Sequence, residues 1–365
     1  MKPNRLPVTF IALALVAAAC GGDGADTTAT SEATTSSSIT TSSSTTTTSS
    51  STTTTSTTTT TIYDGPVAPL TGLPIDDEAL AARRVLAIKI DNHPNARPQS
   101  GLDIADAVME IGVEGGFTRF VALFHTNDTD YLGPIRSARP TDPTVLRPMN
   151  AVMVISGGQT WVLNLIASRG VKMIGEVDGT YRISTRSAPH NLFGDTVALR
   201  ATADGRGYSD EFGIPIYEIA PWTEMPDEKA DTIAMSWSTS STYSWQYVDG
   251  KYLRFVGADN PVAHNTVDRE GAEEQISVDV LVVIEGARYQ AFPAAGVAGN
   301  EVPATETIGG GPVEIFYQGY VRTGVWERST IEDPFVFYDE NGDPMTVPPG
   351  KPWISIFPEP RAVRW

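Results

Sequence analysis

Side chains able to do chemistry gather in a few short stretches of this 365-residue chain. Asp91, Asn92 and His93 stand together, followed by Arg97 and Gln99. Glu114, Thr118 and Arg119 come next, then Arg136, Ser137 and Arg139, and finally His190 and Asn191. If the loops that carry them converge, they form a pocket with two imidazoles, two carboxylates and three guanidiniums. Arginine presents its donors in a rigid fork, so Arg136 and Arg139 on either side of Ser137-Ala138 suit a bidentate grip on a carboxylate or phosphate. The same arginines can instead pair with Asp91, Glu110 and Glu114 in a buried structural network, because a guanidinium keeps its charge and needs acceptors nearby.

Other chemistries compete for these residues. His93 and His190 with Asp91 or Glu114 match the composition of a two-His, one-carboxylate metal site. No short His-x-x-x-His spacing supports it, and neither a metal nor another cofactor is expected. Ser137, His190 and Asp91 make a hydrolytic triad on paper, yet Ser137 lacks the Gly-x-Ser-x-Gly setting that exposes a nucleophile. Gly115-Gly116 would let a phosphate or sugar approach the backbone, but a tight turn is the simpler use of two glycines. His125 and His264 are expected to be ordinary hydrogen-bonded residues. Trp222, Trp237, Trp245, Trp326 and Trp353 offer faces for sugar rings. At strand positions tryptophan more often fills a core, and Trp326 and Trp353 are assigned there.

Cys20 is the single cysteine. A basic start (Lys2, Arg5), an apolar run over Ile11–Val16 and small residues Ala17–Ala19 precede it, the order of a secretory leader too short to span and stay. A cysteine directly after the small residues resembles a lipobox, with Ala17 where leucine is commoner. Residues 1–20 are therefore expected to be a lipoprotein signal peptide and Cys20 the lipid attachment site. With its thiol consumed, no disulfide or thiolate metal site remains. Within residues 27–61, 31 of 35 positions are Ser or Thr. So little apolar surface cannot offset the entropy of ordering the backbone, so residues 21–62 are expected to be a disordered tether. As a coil it would reach roughly 35 Å, with a contour limit of about 140 Å. Dense Ser/Thr is also a substrate for O-glycosylation. Two acyl groups hold a protein stably at a bilayer, so the expected location is extracytoplasmic, anchored to the cell membrane.

The net charge of −18 argues against nucleic acid or anionic headgroups as direct partners. Arg outnumbers Lys, 20 to 6, as high-GC coding favours, which points to an actinobacterial source. From Tyr63 onward the chain is long enough for two modest domains or one large one. Val85–Ile90 (VLAIKI), Phe117–His125 and Ala151–Ile155 read as strands. Ser100 caps a short expected helix over Asp103–Val108, and Thr160–Arg169 reads as a helix ended by Gly170. This alternation predicts an N-terminal α/β lobe over 63–207. Beyond it, Tyr243–Val248 and Tyr252–Val256 flank Asp249-Gly250, a hairpin signature. Val278–Ile284, Val313–Tyr317, Gly319–Trp326, Pro334–Tyr338 and Trp353–Phe357 extend the series. A mainly antiparallel β lobe is expected over 208–365, giving a fold of mixed α/β and α+β class.

Several blocks in order resemble one family: PLTGLP at Pro69–Pro74, IDNHPNARPQSGL at Ile90–Leu102, EGGFTRF at Glu114–Phe120, GPIRSARP at Gly133–Pro140 and APHNLF at Ala188–Phe193. GPVEIFYQG at Gly311–Gly319, GVWER at Gly324–Arg328 and PPGKPWISIFPE at Pro348–Glu359 continue the match. The chain from Pro69 to Pro358 is similar to the YerB-like bacterial lipoproteins, the DUF3048 family. The resemblance implies an extracytoplasmic lipoprotein with N- and C-terminal domains and no settled reaction. Two functional classes follow. One is a tethered envelope module that binds a cell-wall component or an envelope protein. The other is a hydrolase or transferase on wall glycan or peptide, with Asp91 or Glu114 as acid or base. Carboxylates in an open, suitably spaced pair would favour glycoside chemistry; carboxylates each locked to an arginine would favour binding or a structural role.

Overall fold

The computed structural model describes residues 65–365 apart from 178, 258 and 361. The expected leader, Cys20 and the Ser/Thr-rich tether lie outside the described residues. Residues Thr61–Trp365 form one compact unit. Its helices are short: α1 (Glu78–Ala82), α2 (Asp142–Leu146), α3 (Thr160–Ser168) and α4 (Thr196–Gly205). Asp77 and Asp195 cap α1 and α4 by accepting a backbone N–H with their carboxylates.

The site rests on five strands. In β1 (Leu86–Asp91) every residue is buried, and this cover on both faces gives the run its continuous apolar character. Antiparallel to it lies β3 (Thr118–Phe124), which pairs on its far side with β2 (Ala107–Gly112). On the opposite flank β1 runs parallel to β4 (Val152–Val154), and β4 to β5 (Lys172–Ile174), with α3 as the crossover. The period of two sends Leu86, Ile88 and Ile90 to one face and Ala87, Lys89 and Asp91 to the other.

Strands from the second half extend the same sheet. Pro352–Glu359 inserts between β2 and Val280–Ala291, parallel to both. Gly309–Tyr317, Tyr320–Arg328, Val336–Tyr338 and Pro344–Met345 follow antiparallel beyond it. The result is a twelve-stranded sheet shared by the two halves. A second sheet, built on Thr232–Ser236, Thr242–Val248 and Lys251–Val256, covers one face. Its Tyr243, Trp245 and Tyr252 pack with Phe120 and Trp353 of the large sheet. Val145 and Leu146 of α2 and Val162 and Ile166 of α3 pack on the opposite face.

Several expectations change. The helix expected over Asp103–Val108 is a turn leading into β2, because β2 finds partners on both sides, one of them at the far end of the described chain. The N-terminal α/β reading holds only for β1, β4, β5 and α3, and the fold as a whole is mostly β. The antiparallel reading of the second half fails at Pro352–Glu359, which is parallel to both neighbours. The Asp249-Gly250 hairpin has the expected turn chemistry, and Gln318-Gly319 joins a second hairpin whose turn residues were not singled out. Asp249 and Gly250 both take positive φ (48° and 88°), as do Gln318 and Gly319 (51° and 80°), which fits two-residue turns.

Candidate functional site

Asp91 ends β1, and the register sets it directly opposite Arg119 of β3. Its carboxylate is almost fully buried and takes contacts from three sides. Oδ1 accepts the backbone N–H of His93 at 3.1 Å. Oδ2 lies 2.7 Å from Nδ1 of His190 and 2.9 Å from Nε of Arg136. The Arg136 Nε–H points away from that oxygen, so the contact is an ion pair without a directed hydrogen bond. Among the described residues Arg136 donates no hydrogen bond, and its side chain is 22 % exposed. Its terminal nitrogens are therefore available to a ligand.

A second group adjoins the first. Glu114, which opens the turn between β2 and β3, holds Arg139 through Oε2 and Nε at 2.6 Å. Arg119 and Arg139 each donate to the carbonyl of Ser137, at 2.7 and 3.5 Å, and Arg139 also donates to the carbonyl of Ala138 at 2.7 Å. Burial pushes the Arg119 guanidinium down to about 10, and the neighbouring charges of Arg139 and Arg136 push the same way. Burial alone would raise Glu114; its hydrogen bond to Arg139 and that residue's charge outweigh it and hold the carboxyl below the usual range. Beneath the arginines, Lys89 and Asp142 form a fully buried pair at 2.5 Å. Burial lowers Lys89 to about 8 against the opposing pull of Asp142. Asp142 also accepts the backbone N–H of Arg139 at 2.6 Å, tying the cluster to the start of α2.

His93 stacks on His190 with ring centroids 5.1 Å apart and planes 18° from parallel, and Phe117 lies tilted against it at 5.1 Å. Nδ1 of His93 accepts the Asn95 N–H. Near-parallel rings aim their in-plane lone pairs along separate planes, not at one point. Among the described residues no group of three His, Cys, Asp or Glu side chains is placed to hold a metal ion.

The structure thus brings together Asp91, His93, Glu114, Arg119, Arg136, Arg139 and His190. Three candidates stand apart. Asn92 points through the sheet's other face, donating to Thr118 Oγ1 and the Tyr243 hydroxyl at 2.7 and 2.9 Å. Asn191, just before the strand Leu192–Gly194, accepts from the exposed side chain of Arg182 at 2.7 Å. Ser137 offers the arginines its carbonyl, while its hydroxyl lies 3.5 Å from Ser156 Oγ, so the Ser137–His190 link of a triad is missing. The two glycines at 115 and 116 serve a turn, with φ of 69° and 75°. A Cβ at Gly116 would also sit 2.7 Å from Ser238 Oγ.

Sequence reasoning missed a second polar network between the sheets. Arg254 is fully buried, 4.3 Å from the Tyr243 ring and 4.4 Å from that of Trp353. Its guanidinium donates to Glu110 Oε1 at 2.9 Å and to His264 Nδ1 at 3.1 Å. His264 Nε2 must then carry the proton and donate to Gln99 Oε1 at 3.0 Å. Burial, reinforced by Arg254 and Arg97, keeps this imidazole neutral by lowering it well below its usual range. Gln99 in turn donates to the Asp91 carbonyl at 2.9 Å. One signal was available: Lys89 in VLAIKI and Arg254 in YLRFV are lone charges inside otherwise apolar or alternating strands. His125 departs from expectation. It is buried, both ring nitrogens lack partners, and it stacks on Phe212 at 4.8 Å. Trp237, Trp245, Trp326 and Trp353 are core residues, at most 3 % exposed.

Comparison with known proteins places this geometry in context. The family described as "Protein of unknown function (DUF3048) N-terminal domain" matches residues 70–209, and its C-terminal counterpart matches 232–354. YerB of Bacillus subtilis (strain 168), named as a candidate lipoprotein, is 26 % identical over 301 residues, covering 80 % of this chain and 86 % of YerB. The crystal structure of YerB from Bacillus subtilis superposes with a TM-score of 0.68 at 24 % identity, covering 82 % of this chain and 99 % of that one. At that identity the likeness establishes the fold.

Proposed function

We propose that this chain, which belongs to the DUF3048 family, is a lipid-anchored binding module of the bacterial envelope that recognises an anionic group through Arg136. Cys20 would carry the lipid and residues 21–62 would let the domain stand off the bilayer. The observation that carries the reading is the pairing of the carboxylates. Asp91 is held by Arg136 and His190, and Glu114 by Arg139. Neither is left free as the acid or base of a hydrolase. Three guanidiniums against two carboxylates leave positive charge in excess on an otherwise acidic protein, and Arg136 is the one of the three that donates no hydrogen bond among the described residues. A bound carboxylate or phosphate would complete its fork.

The test is retention of the Thr61–Trp365 fragment on isolated cell walls before and after acid extraction of their phosphate-bearing polymers. Arg136→Ala should lower retention tenfold or more with an unchanged melting temperature, since Asp91 keeps His190 and the His93 N–H. Arg136→Lys should restore only part, because a point charge lacks the planar fork. Equal retention of wild type and Arg136→Ala would refute the assignment.

A further inference from the structure

A groove of about 650 Å³ opens between α3 and the end of the strand Val280–Ala291; Pro140, next to Arg139, lines it, and no charged residue of the Asp91 cluster does. That size falls within the range of small-molecule sites. Its apolar surface includes Phe292, 64 % exposed, and Tyr289, 42 % exposed. Large aromatic faces left in water next to a concavity mark binding surfaces more often than chance. Trp161 makes the floor and is fixed there. Its indole N–H lies 3.2 Å from Gln159 Oε1 and 3.3 Å from the Asn300 carbonyl, and Gln159 Oε1 also takes the Asn300 N–H at 2.8 Å. The loop after Phe292 is thereby pinned to the start of α3, so the groove is built before any ligand arrives. The rim is polar. Asn164, Gln290 and Arg169 line it, and their side chains make no hydrogen bond or ion pair among the described residues.

We propose that this groove binds a glycan of N-acetylated hexosamines. An N-acetylhexosamine presents an apolar ring face and methyl group beside an amide and hydroxyls, and the groove offers the complement of each. Phe292 and Tyr289 supply flat apolar faces. Asn164 and Gln290 each supply a donor and an acceptor that can pair with the acetamido group. Arg169 is the sole charged rim residue, which fits a neutral or singly anionic chain and disfavours a cationic or multiply acidic peptide. Arg136 does not line the groove, and the proposal does not depend on the role assigned to it.

Titration of the full-length protein with chitotetraose, followed by calorimetry, tests the proposal. Saturable binding is expected, weakened at least tenfold by Phe292→Ala and at least threefold by Gln290→Ala, and unchanged by Arg136→Ala. Phe292 and Gln290 are exposed, so both variants should keep the wild-type circular dichroism and melting temperature. Absence of binding at millimolar chitotetraose would overturn the proposal. So would binding that Phe292→Ala and Tyr289→Ala both leave intact, or saturable binding of an N-acetylmuramic-acid-free stem peptide in place of the sugar.

Discussion

Removing the negative charge of Glu110 should cost this protein much of its stability. Glu110 and Arg254 are both fully buried, and the carboxylate is fully used. Oε1 accepts from Arg254 and from the Thr118 hydroxyl, and Oε2 from the Trp353 indole N–H. Glutamine keeps the shape but offers a single acceptor oxygen. With that oxygen toward Arg254, its amide N–H₂ faces the Trp353 N–H, donor against donor, and one buried donor loses its partner at about 1–3 kcal/mol. The guanidinium meanwhile loses its counter-charge. Neutral partners remain against it, the His264 Nδ1 and the faces of Tyr243, Trp245 and Trp353, and breaking a buried pair costs about 3–5 kcal/mol in total. At roughly 2–4 °C per kcal/mol for chains of this size or slightly smaller, Glu110→Gln should melt about 6–20 °C lower. The double variant Glu110→Gln/Arg254→Met should recover part of the loss, because no cation is then stranded. Near-ultraviolet circular dichroism reports the event directly, since Trp245 and Trp353 enclose Arg254 at 5.0 and 4.4 Å. A loss below about 1 kcal/mol, or single losses that simply add in the double variant, would refute the reasoning.

Other consequences are open to measurement. Glu314 is buried with Oε2 unpartnered, and burial followed by the charge of Glu285 raises its carboxyl from an ordinary 4.5 to about 8. The folded state thus keeps a proton that the unfolded chain has released. The stabilising term is fully present below about pH 4.5 and lost as pH rises toward 8, by roughly 3–5 kcal/mol. Glu314→Gln should flatten that slope in urea midpoints taken between pH 5 and 8, and an unchanged slope would contradict it. Gly116→Ala should destabilise by about 1–3 kcal/mol in the same assay, from its left-handed backbone and the contact with Ser238; a neutral result would count against the turn. Cys20→Ser should move the protein from the membrane fraction to the medium or leave an uncleaved precursor, and continued membrane retention of a processed form would exclude lipidation there.

How far the sequence foretold this molecule depended on the range of the interaction involved. β1, β3, α3 and the Asp249-Gly250 hairpin carry their own signals, in a buried apolar run, a helical face and a turn dipeptide. The stretch around Asp103–Val108 does not. Leu102, Ile104, Ala105, Ala107 and Val108 fit either period, and the decision for strand comes from pairing with residues 352–359. Nothing near β2 announces that partner. At the site, residue types flagged Asp91, His190 and the arginines because polar groups beyond strand ends need acceptors or ligands. Which face each occupies followed from register. Asp91 and Asn92 are adjacent in sequence and serve opposite sides of the sheet. Lys89 and Arg254 stand as isolated charges in apolar strands, but their partners were not legible: Asp142 carries no local signal, and Glu110, expected to pair with Arg136 or Arg139, pairs with Arg254 instead.

The position of Pro352–Glu359 also bears on the order of events as the chain is made. A strand that sits between β2 and Val280–Ala291 is missing from the nascent chain until nearly everything before it has emerged. Until then both neighbours present bare edges, the exposed ladders on which chains associate wrongly, and neither half can close its sheet alone. The chain's slowest folding step should be the capture of this strand, a contact of very long sequence separation. A truncation that removes it should leave both edges open and the polypeptide prone to aggregate.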